Sequence, residues 1–325
     1  MAGNKNIKLI LNYVAGPLIM LLLFYSVVRQ LRQQPHWKDS LDDLLTALRG
    51  RSQWKFYATF FFMGVNWSIE SLKWQLALRP VQVVPFGRAL KAILAGSCIA
   101  SFTPNRVGEY LGRMLFVDEG KKLDSVTPSI ICSLAQMLVT LVAGLAGIWF
   151  FYRMSPSGSW FTPVILKTAG IFTGVSAIIL SLIYFRFEPV LTRVNRWLEK
   201  RRKSFRIPQD YPIVLLFRVL ILSVFRYLVF LIQYFLLFSL FGIALGGVQL
   251  FAGVSLMFVL MAIVPTLTFL TDLGFRWLAG IEVFRIFTSN IAGILAVSLG
   301  IWLINLIIPA LIGSLLILRT KPFRS

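Results

Sequence analysis

The sequence predicts an all-α polytopic membrane protein, with six spanning helices and two broken, re-entrant helical hairpins arranged as an inverted repeat. Three observations lead there. Of 325 residues, 57% are hydrophobic and 14% charged, with a mean hydropathy of +0.77, a balance no water-facing surface provides. Six apolar stretches reach the roughly 20 residues that cross a bilayer as a helix, and two more are interrupted by breaks containing proline or glycine.

Taken in order, Ile7–Val28 follows the basic opening Met1–Lys8 and resembles a signal peptide, but Gln30–Trp37 has no small-residue cleavage site, so it reads as a first membrane helix. Leu41, Leu44, Leu45 and Leu48 recur at helical spacing, which suits an amphipathic helix on the membrane surface. Lys55–Leu78, Thr127–Tyr152, Phe161–Phe185, Ile213–Phe241 and Ile291–Leu318 are the other five spans. Phe86–Phe116 is interrupted at Thr103-Pro104-Asn105, and Val248–Phe287 between Pro265 and Gly274. Each half is too short to span, and irregular backbone at membrane depth survives only where protein or a water-filled cavity surrounds it.

Loop charge sets the orientation. Between Arg186 and Arg206 lie eight basic residues against Glu188 and Glu199, whereas Met154–Trp160 and Gly242–Gln249 carry no charge. The basic loop, 186–212, is therefore cytoplasmic, as are both termini. Arg29–Arg51 then faces outward despite five basic residues, the one conflict with this assignment. The chain is one transmembrane domain over 1–325. Setting Val107-Gly108 over Leu273-Gly274 superposes a first repeat, 1–152, on a second, 161–318, each read as helix, helix, broken hairpin and helix, the two running in opposite directions. Inverted repeats of this kind place a substrate site near the midplane, at the broken helices.

The densest polar cluster is Ser101 to Arg113. Thr103 before Pro104 reads as an N-cap with proline at the first helical position. On that helix Arg106, Glu109 or Tyr110, and Arg113 share a face, and its free N–H groups near Thr103 and Asn105 suit a phosphate or carboxylate. Gly108 and Gly112 allow close approach of a helix or headgroup. The bland alternative is a Glu109–Arg113 pair that only holds the hairpin. In the second hairpin Asp272 suits a helix start and lies four residues before Arg276, while Glu282 and Arg285 read as an interfacial pair. Asn66, Glu70 and Lys73 on one span and Arg226 and Gln233 on another offer counter-charges. Glu70 and Arg226 are deep, whereas Lys73 and Arg218, near helix ends, are expected to snorkel. Trp54, Trp67, Trp74, Trp160 and Trp302 read as interface anchors and packing.

Several chemistries are excluded. Cys98 and Cys132 lie in apolar stretches without CxxC spacing, and His36, the only histidine, sits in a polar loop, so neither a metal site nor a Ser-His-Asp arrangement is expected. No Walker loop is present and no cofactor is expected. The net charge of +20 resides in loops between apolar runs, which fits anionic headgroups and not nucleic acid.

Asn66-Trp67 through Trp74, Phe102-Thr103-Pro104-Asn105-Arg106-Val107-Gly108-Glu109 through Arg113, and the Pro265 to Gly274 break together resemble the transmembrane region of the lysylphosphatidylglycerol synthase/flippase family. The family's Pro-x-x-x-Gly-Glu pattern falls on Pro104, Gly108 and Glu109. After Gly274 the chain has Phe275, Arg276 and Trp277, with no carboxylate directly following. The resemblance implies movement of a phospholipid or lipid-linked headgroup across the inner membrane, and with the sequence closing at Ser325 the fused synthase domain is expected to be absent. The partner is then a membrane phospholipid or polyprenyl-linked lipid, bound by Thr103, Asn105, Arg106, Glu109, Arg113, Arg226, Asp272 and Arg276, with Glu70, Glu109 and Asp272 pairing charge or carrying a coupling proton. Self-association into a homo-oligomer stays open. So do two rivals: an integral-membrane enzyme of lipid-linked phosphate or sugar metabolism, with Asp118, Glu119 and Asp124 as its acidic residues, and an accessory subunit anchoring an enzyme through the basic loop.

Overall fold

A computed structural model describes residues 50–101, 103, 106–154, 160–186, 211–264 and 269–320, with single positions at 46, 189, 192, 193 and 196. All regular structure among the described residues is helical. The elements are α1 (Gln53–Leu78), α2 (Phe86–Ser101), α3 (Gly108–Met114), α4 (Val126–Met154), α5 (Pro163–Phe185), α6 (Ile213–Leu240), α7 (Gly247–Ile263), α8 (Phe269–Phe284) and α9 (Ile291–Trp302), then a π turn (Leu303–Ile307) and α10 (Ile308–Thr320).

Among the described residues four helices have the length and apolarity to cross a bilayer: α4, α5, α6 and the continuous helix Ile291–Ile317, with mean hydropathies of 1.9 to 2.4. The expected count was six. Ile7–Val28 lies outside the described residues, as do the Leu41–Leu48 helix and most of the basic loop. α1 is long enough at 26 residues, but Asn66, Glu70, Lys73 and Gln75 dilute its hydropathy. Only 17% of the apolar window of α5 is buried, and Ile171, Phe172, Val175, Ile178 and Leu182 face outward. A contiguous apolar face of that extent is stable in hydrocarbon and a liability in water.

Helix ends follow their sequence signals. Thr162 accepts the Ile165 N–H at 3.3 Å with Pro163 at the first position of α5, and Asn290 accepts the Gly293 N–H at 2.8 Å at the start of α9. After α6, Gly242 takes a φ of +72°, the left-handed conformation that ends helices at glycine. The π turn precedes Pro309, which has no N–H to offer the Asn305 carbonyl. One turn is widened, and the Ile308 N–H reaches back to Leu303.

Both expected interruptions occur, with different bounds. α2 ends at Ser101 and α3 begins at Gly108, later than Pro104. Arg106 has a φ of +58° and is the one non-glycine residue with positive φ among the described residues. A left-handed residue cannot continue a helix from Pro104. Val107, not Thr103, stands at the N-cap of α3 and makes no side-chain cap bond; the Thr103 hydroxyl oxygen instead accepts the Gly108 N–H from five residues back at 2.8 Å. In the second hairpin α7 ends at Ile263 and α8 begins at Phe269, so Gly274 lies inside a helix and outside the break.

The hairpin α2–α3 closes through glycines. A Cβ on Gly112 would stand 2.5 Å from the Gly96 Cα, and one on Gly108 would stand 2.6 Å from the Ile99 carbonyl oxygen. Each hairpin also leans on a long helix of the other half: α2 packs on α10, and α7 on α4. Glycines make both contacts possible. A Cβ on Gly147 of α4 would meet the Ala252 carbonyl oxygen at 2.8 Å, and one on Gly313 of α10 would strike the Leu94 carbonyl. Gly147 and Gly313 correspond under the offset that superposes the two sequence halves.

Candidate functional site: a buried charge cluster

α1 and α6 form the most extensive helix contact, and polar tethers fix their register. Lys55 Nζ donates to Ser239 Oγ at 2.7 Å, Gln233 Nε2 to the Thr59 carbonyl at 3.0 Å, and Arg226 Nε to Asn66 Oδ1 at 2.7 Å. Positions rise on one helix as they fall on the other, as antiparallel neighbours require. Trp74, fully buried, donates from Nε1 to Ser129 Oγ on α4 at 3.0 Å. Trp67 and Trp302 are buried too, whereas Trp54 and Trp160 are exposed and remain suited to an interface.

Within this frame Asn66, Glu70 and Lys73 recur at i, i+4 and i+7, so α1 turns all three to one side. Glu70 is the centre. Its carboxylate lies 2.7 Å from Lys73 Nζ, 3.1 Å from Arg113 Nη2 and 3.2 Å from Arg226 Nη1. Arg113 also pairs with Glu109, one turn before it on α3. Amides complete the shell. Gln136 Oε1 on α4 accepts from Arg226 at 3.4 Å and Lys73 at 3.5 Å, and Asn66 Nδ2 donates to Asn305 Oδ1 in the π turn at 3.4 Å. One site therefore draws on α1, α3, α4, α6 and the π turn, elements of both halves.

Charge and donors do not balance within it. Lys73, Arg113 and Arg226 face Glu70 and Glu109, which leaves one positive charge over. Arg113 is 1% exposed, yet among the described residues its Nε and Nη1 have no hydrogen-bond partner. A buried donor without an acceptor costs about 1–3 kcal/mol, more when charged, and each charge at bilayer depth about 2.5–3.5 kcal/mol. Surplus cationic charge and unpaired guanidinium donors are groups that can engage the forked oxygens of a phosphate or carboxylate.

The structure sorts the sequence candidates. Glu70, Glu109, Arg113 and Arg226 come together. Thr103 accepts the Gly108 N–H across the break, Asn105 lies outside the described residues, and Arg106 is exposed with no part in the cluster among the described residues. The single face expected for Arg106 and Arg113 does not form, because Arg106 precedes α3 in a left-handed conformation. Asp272 and Arg276 pair with each other at 3.3 Å on α8, apart from Glu70, and Glu282 pairs with Arg285 at 2.8 Å. Lys73 corrects an expectation: it is completely buried and does not snorkel, since Glu70 one turn earlier neutralises it where it stands. Arg218, by contrast, is exposed. Gln136 and Asn305 were missed. The available signal was a lone amide inside an apolar run, as in Leu134-Ala135-Gln136-Met137-Leu138 and Leu303-Ile304-Asn305-Leu306-Ile307.

The acidic loop carries a structural latch. Asp118 accepts from Arg88 Nη2 at 2.6 Å and Gln82 Nε2 at 2.7 Å, and these hydrogen bonds, Arg88 first, hold its carboxyl below the usual aspartate range.

The family model described as Lysylphosphatidylglycerol synthase TM region matches residues 13–313. Comparison with curated proteins gives no match.

Proposed function

We propose, for a chain that belongs to the lysylphosphatidylglycerol synthase TM region family, a lipid flippase or transporter that moves a phosphate-bearing lipid or lipid-linked headgroup across the inner membrane. The observation that carries this reading is Arg113, buried among apolar helices with two guanidinium nitrogens that meet no acceptor among the described residues, beside surplus cationic charge. A phosphate is the anion that a bilayer presents in quantity, and a guanidinium engages it by charge-assisted hydrogen bonds.

In this reading Arg113, Arg226 and Lys73 neutralise the phosphate, and Glu70 and Glu109 hold those cations when the site is empty or carry a coupling proton. Arg106, exposed at the break, meets the headgroup first. An apolar groove of about 830 Å³ between α4, α5, α6 and α7 is lined by Leu138, Val142, Ile178, Leu182, Val224 and Leu228. It falls within the roughly 300–1,000 Å³ of small-molecule sites and seats an acyl chain on the helices that carry Gln136 and Arg226. The crosswise packing of each hairpin on the other half, through Gly147 and Gly313, supports an inverted repeat, and loop charge supports cytoplasmic termini. Movement is downhill or gradient-driven.

The test is reconstitution in vesicles with labelled phosphatidic acid and a labelled neutral glycolipid of the same chains. Protein-dependent movement of the phosphate-bearing lipid alone is expected. Equal movement of both would refute phosphate recognition, and movement of neither would refute transport.

A further inference from the structure

One face of α6 joins the buried cluster to the second charged pair. Arg226, Phe230 and Tyr234 stand at i, i+4 and i+8 on that helix and form a stripe along it. The Arg226 guanidinium lies over the Phe230 ring, 5.5 Å from its centre. At the far end the Tyr234 hydroxyl accepts from Arg276 Nη1 at 3.4 Å. Phe258 of α7 packs edge-on against Phe230 and Tyr234, with centroids 5.9 Å apart in each case, and fixes both rings. Eight residues of helical rise set Tyr234 about 12 Å along α6 from Arg226.

Arg276 is loosely held for a cation in this setting. Among the described residues its partners are Asp272 at 3.3 Å and Tyr234 at 3.4 Å, and its buried Nε has none. Arg226, Asp272 and Arg276 keep 16%, 19% and 15% of their side-chain surface exposed, against 1% for Arg113 and none for Lys73. The arginine at each end therefore keeps some exposed surface, while Tyr234 beside Arg276 is fully buried. Each broken hairpin supplies one arginine to it: α3 brings Arg113 to the Arg226 end, and α8 brings Arg276 to the other.

We propose that Arg276 is a second station for the same phosphate-bearing headgroup, which passes from Arg113 and Arg226 along the α6 stripe and displaces Asp272 on arrival. Phe230 provides no hydrogen bond, so the phosphate has two stopping points and no polar stop between them. This inference rests on the lipid-transport reading.

The experiment compares the full chain with Arg276→Ala and Arg276→Lys. Movement of labelled phosphatidic acid is followed in vesicles, and binding of dihexanoyl phosphatidic acid in detergent. Arg276→Ala is expected to bind within about threefold of the unmodified chain, through the first station, and to move lipid at least about tenfold more slowly. Arg276→Lys should recover part of the rate, since an ammonium replaces the charge without the fork. Should Arg276→Ala fail to fold, the drop in rate at retained binding is read from Arg276→Lys alone. Unmodified rates in the folded variants would overturn the second station, as would parallel loss of binding and movement, which indicates one site. Absence of movement by the unmodified chain would instead overturn the transport reading, and this inference with it.

Discussion

Removing the Glu70 carboxylate is the sharpest perturbation of the cluster. In Glu70→Ala three cations lose their common partner, and Lys73 and Arg113, at 0% and 1% exposure, cannot reach water without moving their helices. Breaking a buried ion pair by deleting one partner costs about 3–5 kcal/mol, a large share of the roughly 5–15 kcal/mol that holds a folded protein together. Glu109 still compensates Arg113, so the lower part of that range is expected. Gln136 offers Lys73 and Arg226 only a neutral acceptor. The assay is equilibrium unfolding in mixed micelles at matched detergent, with Lys73→Met and the double variant completing a cycle. Because Glu70→Ala leaves Lys73 as an unpaired buried charge, the double variant should be less destabilised than the sum of the singles by at least about 1 kcal/mol. Additive effects, or a Glu70→Ala cost under about 1 kcal/mol as at a surface pair, would refute the picture of a desolvated charge network.

Gly112→Ala should destabilise the α2–α3 hairpin by about 1–3 kcal/mol or more, because the new Cβ would lie 2.5 Å from the Gly96 backbone; Gly87→Ala, whose Cβ meets nothing within 4 Å, is the control in the same unfolding assay. The folded pKa of Asp118 is depressed, so its latch stabilises above the ordinary aspartate value of 3.8 and fades as pH falls through the lower folded value. A melting profile of Arg88→Gln should therefore run below that of the unmodified chain near neutrality and converge with it only in acid. A cysteine placed at Ser157 should react with an impermeant reagent from outside intact cells and one at Ser204 should not, since loop charge sets orientation.

The long helices were legible because apolar run length is itself the physical requirement for crossing a bilayer. Thr127–Tyr152 was expected and Val126–Met154 is found, and Ile213–Phe241 became Ile213–Leu240. The break after Ser101 was legible for a related reason, since a proline inside an apolar stretch must interrupt the hydrogen-bond ladder. Its interior was not. Nothing local marks Arg106 for a left-handed conformation, so the sequence puts the cap at Thr103 and the helix start too early, whereas the N-cap is Val107 and Thr103 only accepts the Gly108 N–H. Site residues divide the same way. The spacing of Asn66, Glu70 and Lys73 announces a shared face, but the choice of Arg113 and Arg226 as partners of Glu70 depends on helix packing across 43 and 156 positions of chain. Lys73 was misjudged because snorkelling is the default for a lysine near a helix end, and only the assembled cluster shows a nearer partner. Gln136 and Asn305 are single polar residues whose spacing identifies no partner at all.

The most direct measurement is the rate of protein-dependent phosphatidic acid movement in vesicles carrying equal amounts of the unmodified chain, Arg113→Ala or Arg113→Lys, each shown to be folded by its unfolding midpoint. Arg113 holds the orphaned donors, so Arg113→Ala should abolish movement, and Arg113→Lys should restore a fraction of it, as a point charge does in place of a bidentate fork. Full movement by a folded Arg113→Ala protein would contradict phosphate capture at the Glu70 cluster.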